Sequence, residues 1–340
     1  MNNTQLSVGV IGAGMQGTAH LQDLSANPRV RLAAVCDQNR DCLKAQIERF
    51  RAPTGYESYE EMLDDETIAA VVIVLPDHLH RDVTIAALDK GKHVLLEKPM
   101  ALNNEDAEAI AAAAGASDKC FMLNLSNRWM YPFAKGKELV DSAHCGRVRY
   151  VFARMSNRIE IPTKILPWLK TSHPAFWIGI HRLDIARWWI GAEAVRVRAV
   201  HRFGVLRERG IDVPDLYQAT IEFDGGAVLN LEGSWILPNA FPNVVDSKFY
   251  AICDHHVIDI DRLRSELMIA GSEKVDLATP TTGPLLEQQG GFTYAASRHF
   301  VDCALSGRQP LVTAADGVAL TRILSAVIKS CENDGEIVTL

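Results

Sequence analysis

Near its start the chain reads "LSVGVIGAGMQG", which places Gly12, Gly14 and Gly17 in G-x-G-x-x-G register between a strand-like run and a helical stretch. No other feature narrows the fold as much. Gly12 permits a tight turn, Gly14 lets backbone approach a pyrophosphate, and Gly17 lets the helix pack close to the strand. The helix N-terminus then receives phosphates with its unpaired N–H groups and partial positive charge. Met15 and Gln16, between the second and third glycines, join the candidate cofactor contacts. Glycine turns are common, so the context matters. Asp37 closes the next strand in "AAVCD", about twenty residues beyond Gly17, where a carboxylate accepts the adenosine ribose hydroxyls and repels a 2'-phosphate. NAD is expected, with NADP left open by Arg40, which could reach a 2'-phosphate. The other reading of Asp37 is a helix N-cap before "QNRDCLKAQ".

Further strand-like runs, "VRLAAVC", "AAVVIVL", "KHVLL" and "CFMLNL", alternate with helical segments through residue 124. The alternation predicts an α/β Rossmann domain over 1–124, with a doubly wound parallel sheet covered by helices on both faces. After Arg128 the pattern changes to runs such as "VRYVFARM", "AVRVRAVHRF", "LYQATIEFD" and "AVLNLEGSWI", several with period-two alternation. The segment 125–340 is therefore expected to form an α/β domain with a large, mostly antiparallel open sheet. Its C-terminal helical stretches could pack back on the first domain.

The chain has 340 residues, 48% of them hydrophobic, enough to bury two cores of roughly 150 residues each. A formal net charge of -7 argues against nucleic acid or an anionic membrane as partner and favours small molecules. The first residues lack a signal peptide's basic and apolar regions, and no run approaches the ~20 apolar residues of a membrane span, so a cytoplasmic location is expected. The seven cysteines are scattered, with no C-x-x-C pair, which argues against a disulfide framework and a zinc site. "CDHHVIDID" reads as a turn, since adjacent His255 and His256 on a strand would point to opposite faces. No metal is expected.

The stretch "IVLPDHLHRDVTIAALDKGKHVLLEKPMAL" carries a resemblance. Its Pro76, the His80 that follows, and "EKP" after a strand resemble the Gfo/Idh/MocA family of NAD(P)-dependent oxidoreductases, as do "GIHRLD" and the C-terminal "RHFVDCALSGRQP" region. The likeness covers nearly the whole chain. It implies a Rossmann domain followed by an α/β domain whose open sheet serves as an oligomer interface, hence a homodimer or homotetramer. It also implies oxidation or reduction of a carbinol carbon in a sugar, cyclitol or related polyol. Lys98 would lie beside the nicotinamide and bind the reacting hydroxyl, with Pro76, His80 and Glu97 lining that end. An amine desolvated near a positive ring has its charged form disfavoured, which suits it to proton transfer.

The family's substrate-domain signature, D-x-G-x-H-x-x-D, is matched in "WIGIHRLD" by Gly179, His181 and Asp184, while Trp177 replaces the first aspartate. An indole N–H only donates, so it cannot take a proton from a hydroxyl. The favoured reading is a dehydrogenase in which Lys98 and His181 position substrate and handle the proton, with Trp177 stacking on a sugar face. One alternative is NAD-dependent elimination or glycosidic cleavage through transient oxidation, without net NADH. Another is a non-catalytic dinucleotide-binding regulatory protein. Arg128 and Trp168 are further candidate substrate contacts, although a structural salt bridge explains Arg128 equally well.

Overall fold

The computed structural model describes residues 5–142, 144–166, 169, 172–263, 267–270, 275–278, 282–285 and 288–340. Six strands, β1 (Leu6–Ile11), β2 (Val30–Cys36), β3 (Thr54–Tyr56), β4 (Ala70–Ile73), β5 (His93–Glu97) and β6 (Phe121–Asn124), pair in parallel in the order β3-β2-β1-β4-β5-β6. The intervening helices are α1 (Met15–Ser25), α2 (Arg40–Phe50), α3 (Tyr59–Asp64), α4 (His80–Asp89) and α5 (Asn104–Ala116). Every residue of β4 and β6 is buried, as befits strands covered on both faces. The order reverses between β1 and β4, and the crevice of such a sheet opens beyond the carboxyl ends of its strands at that point. The β3 strand is too short to have left a pattern in the sequence.

The remaining strands and helices begin with α6 (Tyr131–Val140), β7 (Val148–Asn157), α7 (Ile180–Ile190), β8 (Ala194–Arg202), β9 (Leu216–Phe223), β10 (Val228–Ser234), β11 (Val245–Cys253) and β12 (Val257–Asp261). They continue with short strands β13 (Leu267–Ala270), β14 (Val275–Ala278), β15 (Thr282–Leu285) and β16 (Gln288–Gly291), then α8 (Phe292–Ser306), α9 (Ala314–Glu332) and β17 (Val338–Thr339). A second sheet runs β12-β11-β7-β10-β9-β8-β17, antiparallel except where β7 and β10 pair in parallel. Burial alternates along β9 and β10, so one face looks inward and the other outward.

The chain divides into two compact units, Met1–Met130 with Thr281–Thr321, and Tyr131–Pro280 with Arg322–Leu340. The first unit thus runs past residue 124 and includes α8, whose Ala296, Phe300 and Val301 share a core cluster with Val8, Val10, Leu21 and Leu24. Among the described residues no helix is long and apolar enough to cross a membrane.

Candidate active site

The glycine turn leaves β1 and enters α1. Gly12 has φ +92°, and a Cβ there would sit 2.1 Å from the Val74 carbonyl oxygen. A Cβ on Gly17 would lie 2.0 Å from the Gly12 carbonyl oxygen, so close strand–helix packing requires glycine at both. Gly14 is different, because a Cβ there would meet nothing within 4 Å among the described residues. Packing does not explain it, whereas the close approach of a pyrophosphate to the α1 N-terminus does. Met15 opens the helix with its side chain largely exposed. The residues present fit a dinucleotide.

Asp37 follows β2, half-buried, and its two oxygens accept the Ala13 and Asn39 backbone N–H groups, each at 2.8 Å. The cap of α2 is Asn39, which accepts from the Asp41 and Cys42 N–H groups, so the N-cap reading of Asp37 is corrected. Arg40 is exposed, and its Nε pairs with Glu57 at 2.9 Å.

The other end of the site lies at the ends of β4, β5 and β6. Glu97 is buried. Its Oε1 accepts from Asn124 Nδ2 at 2.6 Å and Gln16 Nε2 at 3.4 Å and pairs with His20 Nε2 at 2.8 Å, while Oε2 accepts the Lys98 N–H at 3.1 Å. Burial acts to raise the Glu97 pKa, but the His20 hydrogen bond and charge, with Lys98 and Asn124, outweigh it and hold it at about 2. Lys98 itself is half-buried, and its peptide bond to Pro99 is cis. Desolvation pushes its ammonium below the ordinary lysine value, against the opposing pull of Glu97 and Asp77.

Asp77, which sequence reasoning passed over inside "LPDHLH", is buried, and desolvation raises its pKa against the charges of His80 and Lys98. Pro76 precedes it at the turn. His80 is fully buried, with Nδ1 2.8 Å from the Pro99 carbonyl and Nε2 3.0 Å from that of Leu75. Its ring braces the two loops that follow β4 and β5. His20 was also missed, since a lone histidine in a helix reads as core.

Arg128 is buried, with Nη1 donating to the Leu311 carbonyl at 2.9 Å and Nη2 lying 3.1 Å from Asp316. The structural ion pair is therefore the reading its geometry supports, and the guanidinium does not join the substrate set below.

In the second unit, Ala175–Gly179 forms a π-helical turn that runs directly into α7. Trp177 lies in this turn and His181 is the second residue of α7, so their spacing is not that of one regular α-turn. Trp177 is half-buried against an apolar cluster that includes Ile161, Leu169, Ile178 and Trp235. Gly179 is obligatory, as a Cβ there would lie 2.1 Å from the Tyr217 hydroxyl. Asp184 is buried, while Arg187 pairs with Glu193 at 3.0 Å. Arg182 is buried against Ser247 Oγ, 2.8 Å from Nη2, and anchors α7 to β11. Trp168 lies outside the described residues.

His173, just before the π-turn, groups with His201 and Cys331. Its Nδ1 accepts the Ala175 N–H at 3.1 Å, which puts the ring proton on Nε2, 3.5 Å from His201 Nδ1. This is a hydrogen-bonded pair rather than two open ligand atoms. His255 and His256 are exposed in the turn between β11 and β12, as the sequence predicts.

Fold and cradle together define a dinucleotide-binding protein of the Rossmann type joined to a mixed-sheet α/β unit. Residues 6–125 match an oxidoreductase family with an NAD-binding Rossmann fold, and residues 133–258 match the GFO/IDH/MocA C-terminal domain. The chain belongs to the GFO/IDH/MocA family. It is an NAD-dependent oxidoreductase.

Among relatives, it is 26% identical over 330 residues to a myo-inositol 2-dehydrogenase of Thermotoga maritima, covering 96% of each chain. It is 27% identical over 341 residues to a scyllo-inositol 2-dehydrogenase (NAD(+)) of Bacillus subtilis, covering 97% of this chain and 95% of that one. Its fold superposes with a TM-score of 0.87 on the crystal structure of a myo-inositol 2-dehydrogenase from Lactobacillus plantarum, at 21% identity over 99% of this chain and 100% of that one.

Proposed function

We propose that the enzyme transfers a hydride between NAD and a secondary carbinol carbon of a cyclitol, sugar or related polyol, with inositols the first substrates to test. The observation that carries this reading is Lys98, a desolvated amine at the carboxyl end of β5, on the edge of the parallel sheet where the glycine cradle also opens. Bound NAD supplies the hydride acceptor. Lys98 binds the reacting hydroxyl and takes its proton as the neutral amine. His181, held on rigid α7, positions substrate and shares the handling of the proton. Trp177, where the family signature has an acid, offers a ring face to the C–H groups of a polyol. Gly12, Gly14, Met15, Gln16, Gly17 and Asp37 hold the adenosine and pyrophosphate part. Pro76, His80 and Glu97 shape the nicotinamide end.

The relatives named above are dehydrogenases, which gives no support to elimination without NADH or to a non-catalytic role. The outward face of the second sheet carries polar side chains, Thr220, Asn230 and Tyr150, joined by hydrogen bonds of 2.8 and 3.1 Å. We assign this face to a homodimer or homotetramer contact, and the protein to the cytoplasm. Light scattering measures the first. The function is tested by incubating the enzyme with NAD or NADP and a panel of inositols, aldoses, uronic acids and glycosides, following both NADH and product. Oxidised polyol and NADH in equal amounts are expected; product without NADH would overturn the reading.

A further inference from the structure

His20 faces inward from a helix whose N-terminus serves as a phosphate cradle. It is 4% exposed, and its Nε2 lies 2.8 Å from Glu97 Oε1. Packing alone would be met by leucine or methionine. What histidine adds is a donor to a carboxylate that water does not reach, because Glu97 is itself only 7% exposed. Asn124, at the end of β6, supplies the other close donor to the same oxygen. His20 Nδ1 has no hydrogen-bond partner among the described residues, so the polar contacts of the ring are at Nε2. Both donors converge on the carboxylate that immediately precedes Lys98.

We propose that His20 is a positioning residue for Lys98, acting through Glu97. The inference rests on the reading of Lys98 as the group that handles the substrate proton. A carboxylate in a dry site takes up a proton unless donors surround it, so His20 and Asn124 keep Glu97 ionised. The charge of Glu97 in turn opposes the desolvation that drives the Lys98 ammonium toward the neutral amine. The charged and titratable groups around this chain of contacts are Asp23 and His20 on α1, Asp77 after β4, His80 on α4, and Glu97 and Lys98 at the end of β5. Asp77 pulls Lys98 in the same direction as Glu97, and His80 acts on Asp77. Without the His20 donor, Glu97 holds its charge less strongly, its support of the Lys98 ammonium weakens, and Lys98 titrates lower.

The test reads Lys98 directly. In the full-length protein without substrate, the pH dependence of Lys98 acylation, followed by peptide mass spectrometry, is measured for wild type, H20A, H20Q and E97Q. Lys98 is expected to titrate about one pH unit or more lower in H20A and E97Q. In H20Q, whose amide reaches Glu97 as Nε2 does, it stays near wild type. The acid limb of kcat/KM for polyol oxidation moves down with it in H20A. Should H20A not fold, H20N, whose amide is too short to reach, replaces it. A folded H20A or H20N with unshifted Lys98 overturns the proposal. If wild type oxidises no polyol, the reading of the reaction fails, while the acylation result still decides the role of His20.

Discussion

The Asp37 carboxylate accepts the Ala13 backbone N–H at 2.8 Å, joining the end of β2 to the glycine turn after β1. One side chain thus braces the glycine turn, and in the proposed site it also takes the adenosine ribose. Asp37→Ala should weaken NAD by roughly tenfold or more and narrow the preference for NAD over NADP. Fluorescence titration with both cofactors measures this. Unchanged NAD affinity would remove Asp37 from the site.

Gly12 and Gly14 should respond differently to a side chain. At Gly12 a Cβ collides with the Val74 backbone, so Gly12→Ala is expected to lower Tm. At Gly14 it meets nothing within 4 Å among the described residues, so Gly14→Ala should keep Tm near wild type while NAD affinity falls by roughly tenfold or more. A Gly14 variant that binds NAD normally would contradict the cradle.

The glycine turn was legible in the sequence because its residues are neighbours on the chain, and Gly12 and Gly17 each meet a local steric demand. The strands were legible for a related reason: a buried run such as "AVVI" needs no partner to announce itself. Relationships made by folding were not legible. Arg128 finds Asp316, and Glu97 finds His20, across long stretches of chain that no local pattern connects. The π-helical turn before α7 was hidden as well, since "AFWIG" has nothing to set it apart from an ordinary helix start. It changes the geometry between Trp177 and His181 that the family spacing implies.

Lys98→Ala and His181→Ala should each lower kcat on the true substrate, by roughly 10²- to 10⁴-fold, while NAD still binds. Since desolvation lowers the Lys98 pKa and the base we propose is its neutral amine, polyol oxidation should rise with pH through an apparent pKa below the ordinary lysine value. Steady-state rates across pH show this limb in wild type and not in Lys98→Met. A full limb in that variant would assign it elsewhere.

Trp177 tests the second unit. Trp177→Ala removes a half-buried indole from the apolar cluster and should cost about 2 kcal/mol of stability. It should raise KM for the polyol more than it lowers kcat, since stacking serves binding. Denaturant melts and kinetics read the two effects separately. A loss in kcat with KM unchanged would make Trp177 part of the chemistry.

His173 sets an acid limit on stability. Burial, with the neighbouring His201, lowers its pKa from 6.5 to about 3, so the folded chain resists a proton that the unfolded chain accepts. Its contribution is complete above about 6.5 and is lost as pH falls toward 3. Chemical denaturation between pH 7 and 4 should show a shallower decline in His173→Gln than in wild type, and parallel curves would refute the assignment.

In the proposed reaction this chain couples polyol oxidation to net reduction of NAD. The most direct measurement is the stoichiometry of NADH to oxidised product with the best substrate from the inositol and sugar panel, run in wild type and Lys98→Ala. Equal amounts in wild type and loss of both in the variant are predicted. Product without NADH, or unchanged turnover in Lys98→Ala, would contradict the account.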